Sequence, residues 1–329
     1  MNQLKQRRAV IKGLAASAIV GPSMFVRAQS NWPDRPIRVI VPFPPGNTID
    51  IAVRLLQTGM SARLGQPIIV ENVVGAGGRI GTAATVKAKP DGYTIGAVQS
   101  GTIIVQPHTT KNLGYDVTKD LVRVALSVRN FSVLVTNNNN VLFKTLPELI
   151  SWAKANPGKL TYGSNGEGGF PHLMFEDLAK QAGITFTHIP YKGTTQIATD
   201  LISGQIMVAG DGVSGMTPFI KANQLTLLNV TNLTRVSQYP NVPTVSETIP
   251  NFVANGDFGF AAPANTPSEI IKKLNAAING AVESPEVVER LPGLGFVGIA
   301  QSPEYFEAIF KREYTRFGEI VRSIGYQPK

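Results

Sequence analysis

Cysteine is missing from all 329 residues. Its absence excludes a disulfide framework, a thiolate metal site, a cysteine nucleophile and a lipid-modified cysteine anchor. Histidine is scarce. His108, His172 and His188 are the full set, and no two stand at metal-ligand spacing. There is no G-x-S-x-G nucleophile elbow and no internal repeat. No apolar run reaches the roughly 20 residues that span a bilayer.

What is present suits a globular protein. Hydrophobic residues make up 43% and charged residues 16%, enough for one large or two medium cores. The formal charge of +9 is uneven. Lys5, Arg7, Arg8, Lys12 and Arg27 precede residue 29, and no acid does. The remainder carries 26 basic and 22 acidic residues, scattered along the chain. A nucleic-acid partner needs basic residues gathered on one face, so that class is excluded.

The N-terminus has the three parts of an export signal. Residues 1–12 are basic, residues 13–26 are apolar and small, and Val26-Arg27-Ala28 precedes Gln29 as a cleavage site. Arg7-Arg8-Ala9-Val10-Ile11-Lys12 also fits the twin-arginine pattern, so both export routes stay open.

The rest alternates strand, turn and helix. Residues 36–43 predict a strand and 49–65 a helix stopped at Gly65. Residues 66–72, 89–100, 131–137, 159–165, 185–193, 206–212 and 225–231 supply further strand signals. Helical patterns stand between them and at the end of the chain. Thr145-Leu146-Pro147-Glu148 and Thr266-Pro267-Ser268-Glu269 predict capping boxes. The expected fold is α/β with a parallel sheet, whose ligands bind beyond the carboxyl ends of the strands.

Three post-strand loops carry the candidate chemistry. Pro44-Pro45-Gly46-Asn47-Thr48-Ile49-Asp50 puts free N–H groups at a helix start, a place suited to an anion and also found in ordinary strand–helix turns. Gly75-Ala76-Gly77-Gly78 fails as a dinucleotide fingerprint because Ile80 stands where glycine is needed. The loop 163–169 lacks the Lys-Ser/Thr ending of a P-loop but offers hydroxyl, amide and N–H donors. His172 is expected to cap or pack, and His188 to pack. Tyr191-Lys192-Gly193 suits ligand contact or a strand end.

Across residues 31–329 the chain resembles a known family. The matching segments include WPDRPIRVIVPFPPG (32–46), GAGGRIG (75–81), KPDGYTI (89–95), ANPGKLTYGSNG (155–166), IPYKG (189–193) and GFAAPANTP (259–267). They are similar to the substrate-binding component of tripartite tricarboxylate transporters, the TctC or Bug family of periplasmic proteins. The resemblance implies a two-domain periplasmic-binding-protein fold of type II-like form. Residues 31–131 plus 255–329 would form one domain and 132–254 the other, with the ligand cleft between them.

The resemblance also implies ligand contacts at Pro45, Gly46, Thr48 and Asp50, then at Ser100 and Thr102. From the second domain it implies Ser164, Asn165, Gly166, Gly168 and Gly169, with Tyr191, Gly193 and Asp211 nearby. The family commonly has two adjacent glycines in P-P-G-G-x-x-D. Here the second is Asn47, which enters the candidate site as a side chain able to touch ligand. The Gly46 turn is the expected carboxylate anchor.

The function these expectations describe is a monomeric periplasmic receptor for a small mono- or dicarboxylate, aromatic acids included. It would deliver ligand to membrane permease subunits, without cofactor, metal or catalysis. A ligand-presenting partner of a membrane sensor kinase is the alternative. A secreted hydrolase is a further one, but the sequence offers no convincing nucleophile–base pair for it.

Overall fold

Strand β1 (Ile37–Val41) is buried at every position but Arg38, as β-branched residues suit a strand covered on both faces. It leads into helix α1 (Thr48–Leu64), which ends on Gly65 in the left-handed conformation. This computed structural model describes residues 32–138 and 142–329. The export segment at 1–28 and its cleavage site lie outside the described residues.

Strand β2 (Ile68–Asn72), α2 (Arg79–Val86), β3 (Thr94–Gln99) and the short α3 (Gln106–Thr109) complete the first set. Strand β4 (Leu121–Asn137) follows, then α4 (Leu146–Ala155), β5 (Leu160–Ser164), α5 (Phe170–Ala182), β6 (Phe186–Pro190) and α6 (Thr194–Ser203). Next come β7 (Val208–Gly212), α7 (Val213–Lys221), β8 (Leu225–Val230) and β9 (Asn255–Pro263). Helices α8 (Ser268–Val282) and α9 (Pro285–Arg290), β10 (Val297–Gly298) and α10 (Pro303–Ser323) close the chain.

The sheet order is β2-β1-β3-β9-β4-β7-β5-β6, with β8 and β10 also paired to β4. Two parallel groups, β1 to β3 and β5 to β7, are joined through antiparallel strands β9 and β4. The sheet is therefore mixed rather than parallel throughout. Strand β4 is the spine. It pairs with β9 as far as Phe131 and with β7 from Ser132. Its period-2 alternation feeds two cores. Phe131, Val133 and Val135 pack with Ile197, Leu201, Val213 and Met216. Leu134 points into the cluster of Tyr162, Met174 and Phe175.

The capping expectations divide. Thr145 caps α4 by accepting from Glu148 N, but the Glu148 carboxylate accepts from Lys144 N, so the reciprocal bond is displaced by one residue. Thr266 does not cap α8; its hydroxyl donates to Pro263 O at 2.7 Å, and the N-cap is Pro267. A reciprocal box does form at Thr244 and Glu247.

Candidate functional site

Turns that follow the parallel strands converge on one polar cavity of about 330 Å³. The β1 turn contributes Asn47 and Thr48, and the end of β3 contributes Gln99, Ser100 and Gly101. From the β5 side come Asn165, Phe170 and Pro171; from the starts of α6 and α7 come Thr194, Ser214 and Gly215, with Asp211 and Gly212 at the end of β7. Asn130 and Ser132 project from the middle of β4, and Gly256 and Phe258 from β9. No lysine or arginine lines it among the described residues.

The β1 turn is built by its own side chains. Gly46 takes φ +81°, a region in which a side chain is strained. Asn47 caps α1, its Oδ1 accepting from Ile49 N at 3.3 Å. Asp50 is buried and faces back into the turn. It accepts from Gly46 N, Arg54 Nε and Asn72 Nδ2, each at 2.9 Å. Burial alone would raise its pKa, but these hydrogen bonds and the Arg54 charge outweigh it and hold the carboxyl below its ordinary value. The Gly46 N–H is thus engaged by Asp50, and Asn47 and Thr48 are the turn residues that reach the cavity.

Of the residues expected to touch ligand, Asn47, Thr48, Ser100, Asn165 and Asp211 line this cavity. Pro45 and Gly46 lie beside it on the exposed outer part of the turn. Ser100 is buried; its hydroxyl donates to Asn255 O and accepts from Asp257 N. Thr102 is fully buried and its hydroxyl donates to Gln99 O at 3.0 Å, closing a π-helical turn over 101–105. Tyr191 turns away and donates to Asp200 Oδ2 at 2.8 Å. Gly193 caps α6 and Gly169 caps α5.

The second Gly-rich loop is held by imidazoles. Gly168 N donates to His172 Nδ1 at 3.0 Å, and His172 stacks on His188 at 4.2 Å between ring centres. A side chain at Gly168 would strike the Tyr326 hydroxyl. Ser164 Oγ lies 2.7 Å from His188 Nε2, a serine–histidine contact the sequence does not disclose. Ser164 is fully buried, its Oγ also lies within reach of Gly166 O, and burial together with the neighbouring His172 pushes His188 down to about 4. The pair supports the loop. Gly166 takes φ +96° within it.

Asp211 sits at the far wall. Its Oδ2 accepts from Asn165 Nδ2 at 2.7 Å and Thr194 Oγ1 at 2.5 Å, and its Oδ1 from Gly212 N at 2.8 Å. Burial pushes its pKa up, against these three hydrogen bonds.

Residues that the sequence reading does not single out supply the rest. Thr194, Gly212 and Ser214 follow the same strand–turn–helix logic as the β1 turn and could have been found by it. Asn130 and Ser132 carry no local signal, because they lie mid-strand where β4 changes partner. Among the described residues there is no cluster of acids and histidines able to hold a metal and no helix long and apolar enough to cross a membrane.

A mixed α/β sheet whose strand ends surround a polar, cation-free cavity defines a solute-binding protein of the periplasmic-binding-protein fold. A family model described as the tripartite tricarboxylate transporter family receptor, TctC, matches residues 52–326, and the chain belongs to that family. This is a family of solute-binding receptors rather than enzymes. BugT of Bordetella pertussis is 33% identical over 318 residues, covering 96% of each chain. An R. palustris protein solved with adipate is 27% identical with a TM-score of 0.76, covering 91% of this chain and all of that one. MatC of Rhodopseudomonas palustris, solved with malate, is 28% identical with a TM-score of 0.72, covering 88% of this chain and all of that one.

Proposed function

We propose that the chain is exported, captures a small carboxylate in the cavity between Asn47–Thr48 and Asp211, and hands it to the membrane subunits of a tripartite tricarboxylate-type transporter. The observation that carries this reading is the cavity's lining: hydroxyls, amides and the N-terminus of α1, with no basic side chain. Such a site takes an anion through dipoles and N–H groups, without a fixed counter-charge. The adipate and malate bound by relatives support the ligand class.

The two domains are residues 31–131 plus 255–329 and residues 132–254. Strand β4 exchanges β9 for β7 between Phe131 and Ser132, and β9 begins at Asn255. Buried Thr231 stitches these crossings, accepting from Ser132 N at 3.0 Å and donating to Ala254 O at 2.6 Å. Closure about this hinge would bury the ligand. The chain acts as a monomer, without catalysis, after cleavage near Ala28.

A thermal-shift screen of mono-, di- and aromatic carboxylates on the exported chain tests the ligand class. A binder at a hundred times its Kd stabilises the fold by about 2.7 kcal/mol. No shift with any carboxylate removes the proposal. Mass spectrometry of the periplasmic form should show a chain starting near Gln29; one retaining Met1 would contradict the export reading.

A further inference from the structure

The one charged side chain among the described cavity residues is an acid. Resting on the receptor reading above, we propose that the ligand pairs its carboxylate with a hydrogen-bond donor, an ammonium or hydroxyl group, that Asp211 and Asn130 receive at the opposite wall.

Asp211 occupies the place a second ligand carboxylate would want. It lies where α6 and α7 begin, and it already accepts from Thr194 Oγ1 and Gly212 N at those two helix starts. The positive ends of both helices are therefore already taken by the protein's own carboxyl group. All three of its hydrogen-bond partners donate, which orients the group as an acceptor. A carboxylate has about four acceptor positions, so one remains. With no lysine or arginine on the lining, an incoming carboxylate at this wall sets acceptor against acceptor.

Asn130 is an independent observation on the same wall. It is 7% exposed, lines the cavity, and spends its Nδ2 on Ser214 Oγ at 3.4 Å. Its Oδ1 is buried with no hydrogen-bond partner. A buried acceptor left unmet is unfavourable, and a donor arriving with the ligand would satisfy it. At the β1 turn the acid is placed differently: Asp50 faces Gly46, Arg54 and Asn72, which leaves the start of α1 for the ligand's carboxylate.

Calorimetry on the exported chain would compare acids of matched length: adipate with 6-aminohexanoate and 6-hydroxyhexanoate, and succinate with 4-aminobutyrate and 4-hydroxybutyrate. At least one donor-terminated acid should bind about tenfold or more tighter than the dicarboxylate of its length, the worth of one hydrogen bond gained where the dicarboxylate sets acceptor against acceptor. Asp211→Asn should erase that preference and tighten the dicarboxylate, with circular dichroism confirming the fold. The wild-type comparison stands even if that variant fails to fold. A dicarboxylate that binds as tightly as its partners overturns the inference, as does silence from all six acids while another carboxylate binds; both leave the receptor reading intact. If no carboxylate of any kind binds, the receptor reading falls as well.

Discussion

Replacing Asp50 with alanine should loosen the β1 turn by a predictable amount. The carboxylate accepts three hydrogen bonds at 2.9 Å, from Gly46 N, Arg54 Nε and Asn72 Nδ2. A hydrogen bond to a charged group contributes roughly 1.5–3 kcal/mol where it is buried. Two of these donors lie on exposed or partly exposed residues and can return to water, which discounts their share. Asn72 keeps a second bond, to Phe43 O at 2.8 Å. The sum expected for Asp50→Ala is therefore about 2–4 kcal/mol.

The pH dependence follows from the same contacts. The folded-state pKa lies below the ordinary 3.8, so the folded chain holds the carboxyl ionised where the unfolded chain has begun to protonate it. The stabilisation is fully present above about pH 4 and is lost as pH falls through the folded value. Urea denaturation of wild type and Asp50→Ala at pH 7 and at stepped lower pH measures both effects. A difference below about 0.5 kcal/mol at pH 7, or one unchanged by acid, would refute the assignment of Asp50 as the fastening of the turn.

Three further outcomes are expected. Thr231→Val should cost about 1–3 kcal/mol in denaturant unfolding, because Ser132 N–H and Ala254 O are left buried with a methyl group between them; a neutral result would remove Thr231 from the hinge. His188 is held down to about 4 against an ordinary 6.5, so the unfolded chain binds its proton first. Its contribution is complete above pH 6.5 and declines as pH falls towards 4, by about 1–2 kcal/mol once solvent screening of the half-buried ring is allowed for. His188→Gln should flatten that part of the stability profile, and an unaltered slope would contradict it. Asn47→Gly should cost α1 only a few tenths of a kcal/mol, since glycine is a tolerable N-cap. Calorimetry then separates two roles: ligand preference shifts if the Asn47 amide touches ligand, and affinities move together if it only shapes the turn.

Much of the architecture was legible because local and global preferences agree. The apolar and β-branched segments at β1 and β5 to β7, each ending in or followed by Gly, Asn or Pro and then a helical period, predict strands at the right places. The antiparallel spine was harder to see. In 121–130 the apolar run is broken by Arg123, Ser127 and Arg129, and only the folded structure gives them partners. Arg123 donates to Leu121 O and Val117 O beneath the Phe310 ring, and Arg129 forms a two-bond pair with Asp257 of β9. In β9, Gly256, Asp257 and Gly259 have the composition of a turn. Gly259 is instead a close approach, where a side chain would meet Ala125 O of β4.

The site was legible in the same measure. Loops that follow strands point to Asn47, Thr48 and Asn165, because strand direction places such loops at one end of a parallel sheet, and the family resemblance adds Ser100 and Asp211. Asn130 and Ser132 reach the cavity only because β4 crosses from one group of strands to the other, which no local pattern announces. Two other expected contacts have their hydroxyls engaged within the fold: Thr102, in the π-helical turn, donates to Gln99 O, and Tyr191 donates to Asp200.

The central claim is that this chain binds a small carboxylate reversibly and leaves it unchanged. Titration calorimetry of the exported chain with the strongest carboxylate from the thermal screen, followed by mass spectrometry of the recovered ligand, tests it most directly. The account predicts one molecule bound per chain and recovered intact. Failure of every carboxylate to saturate the protein, or recovery of a chemically altered acid in excess over protein, would contradict it.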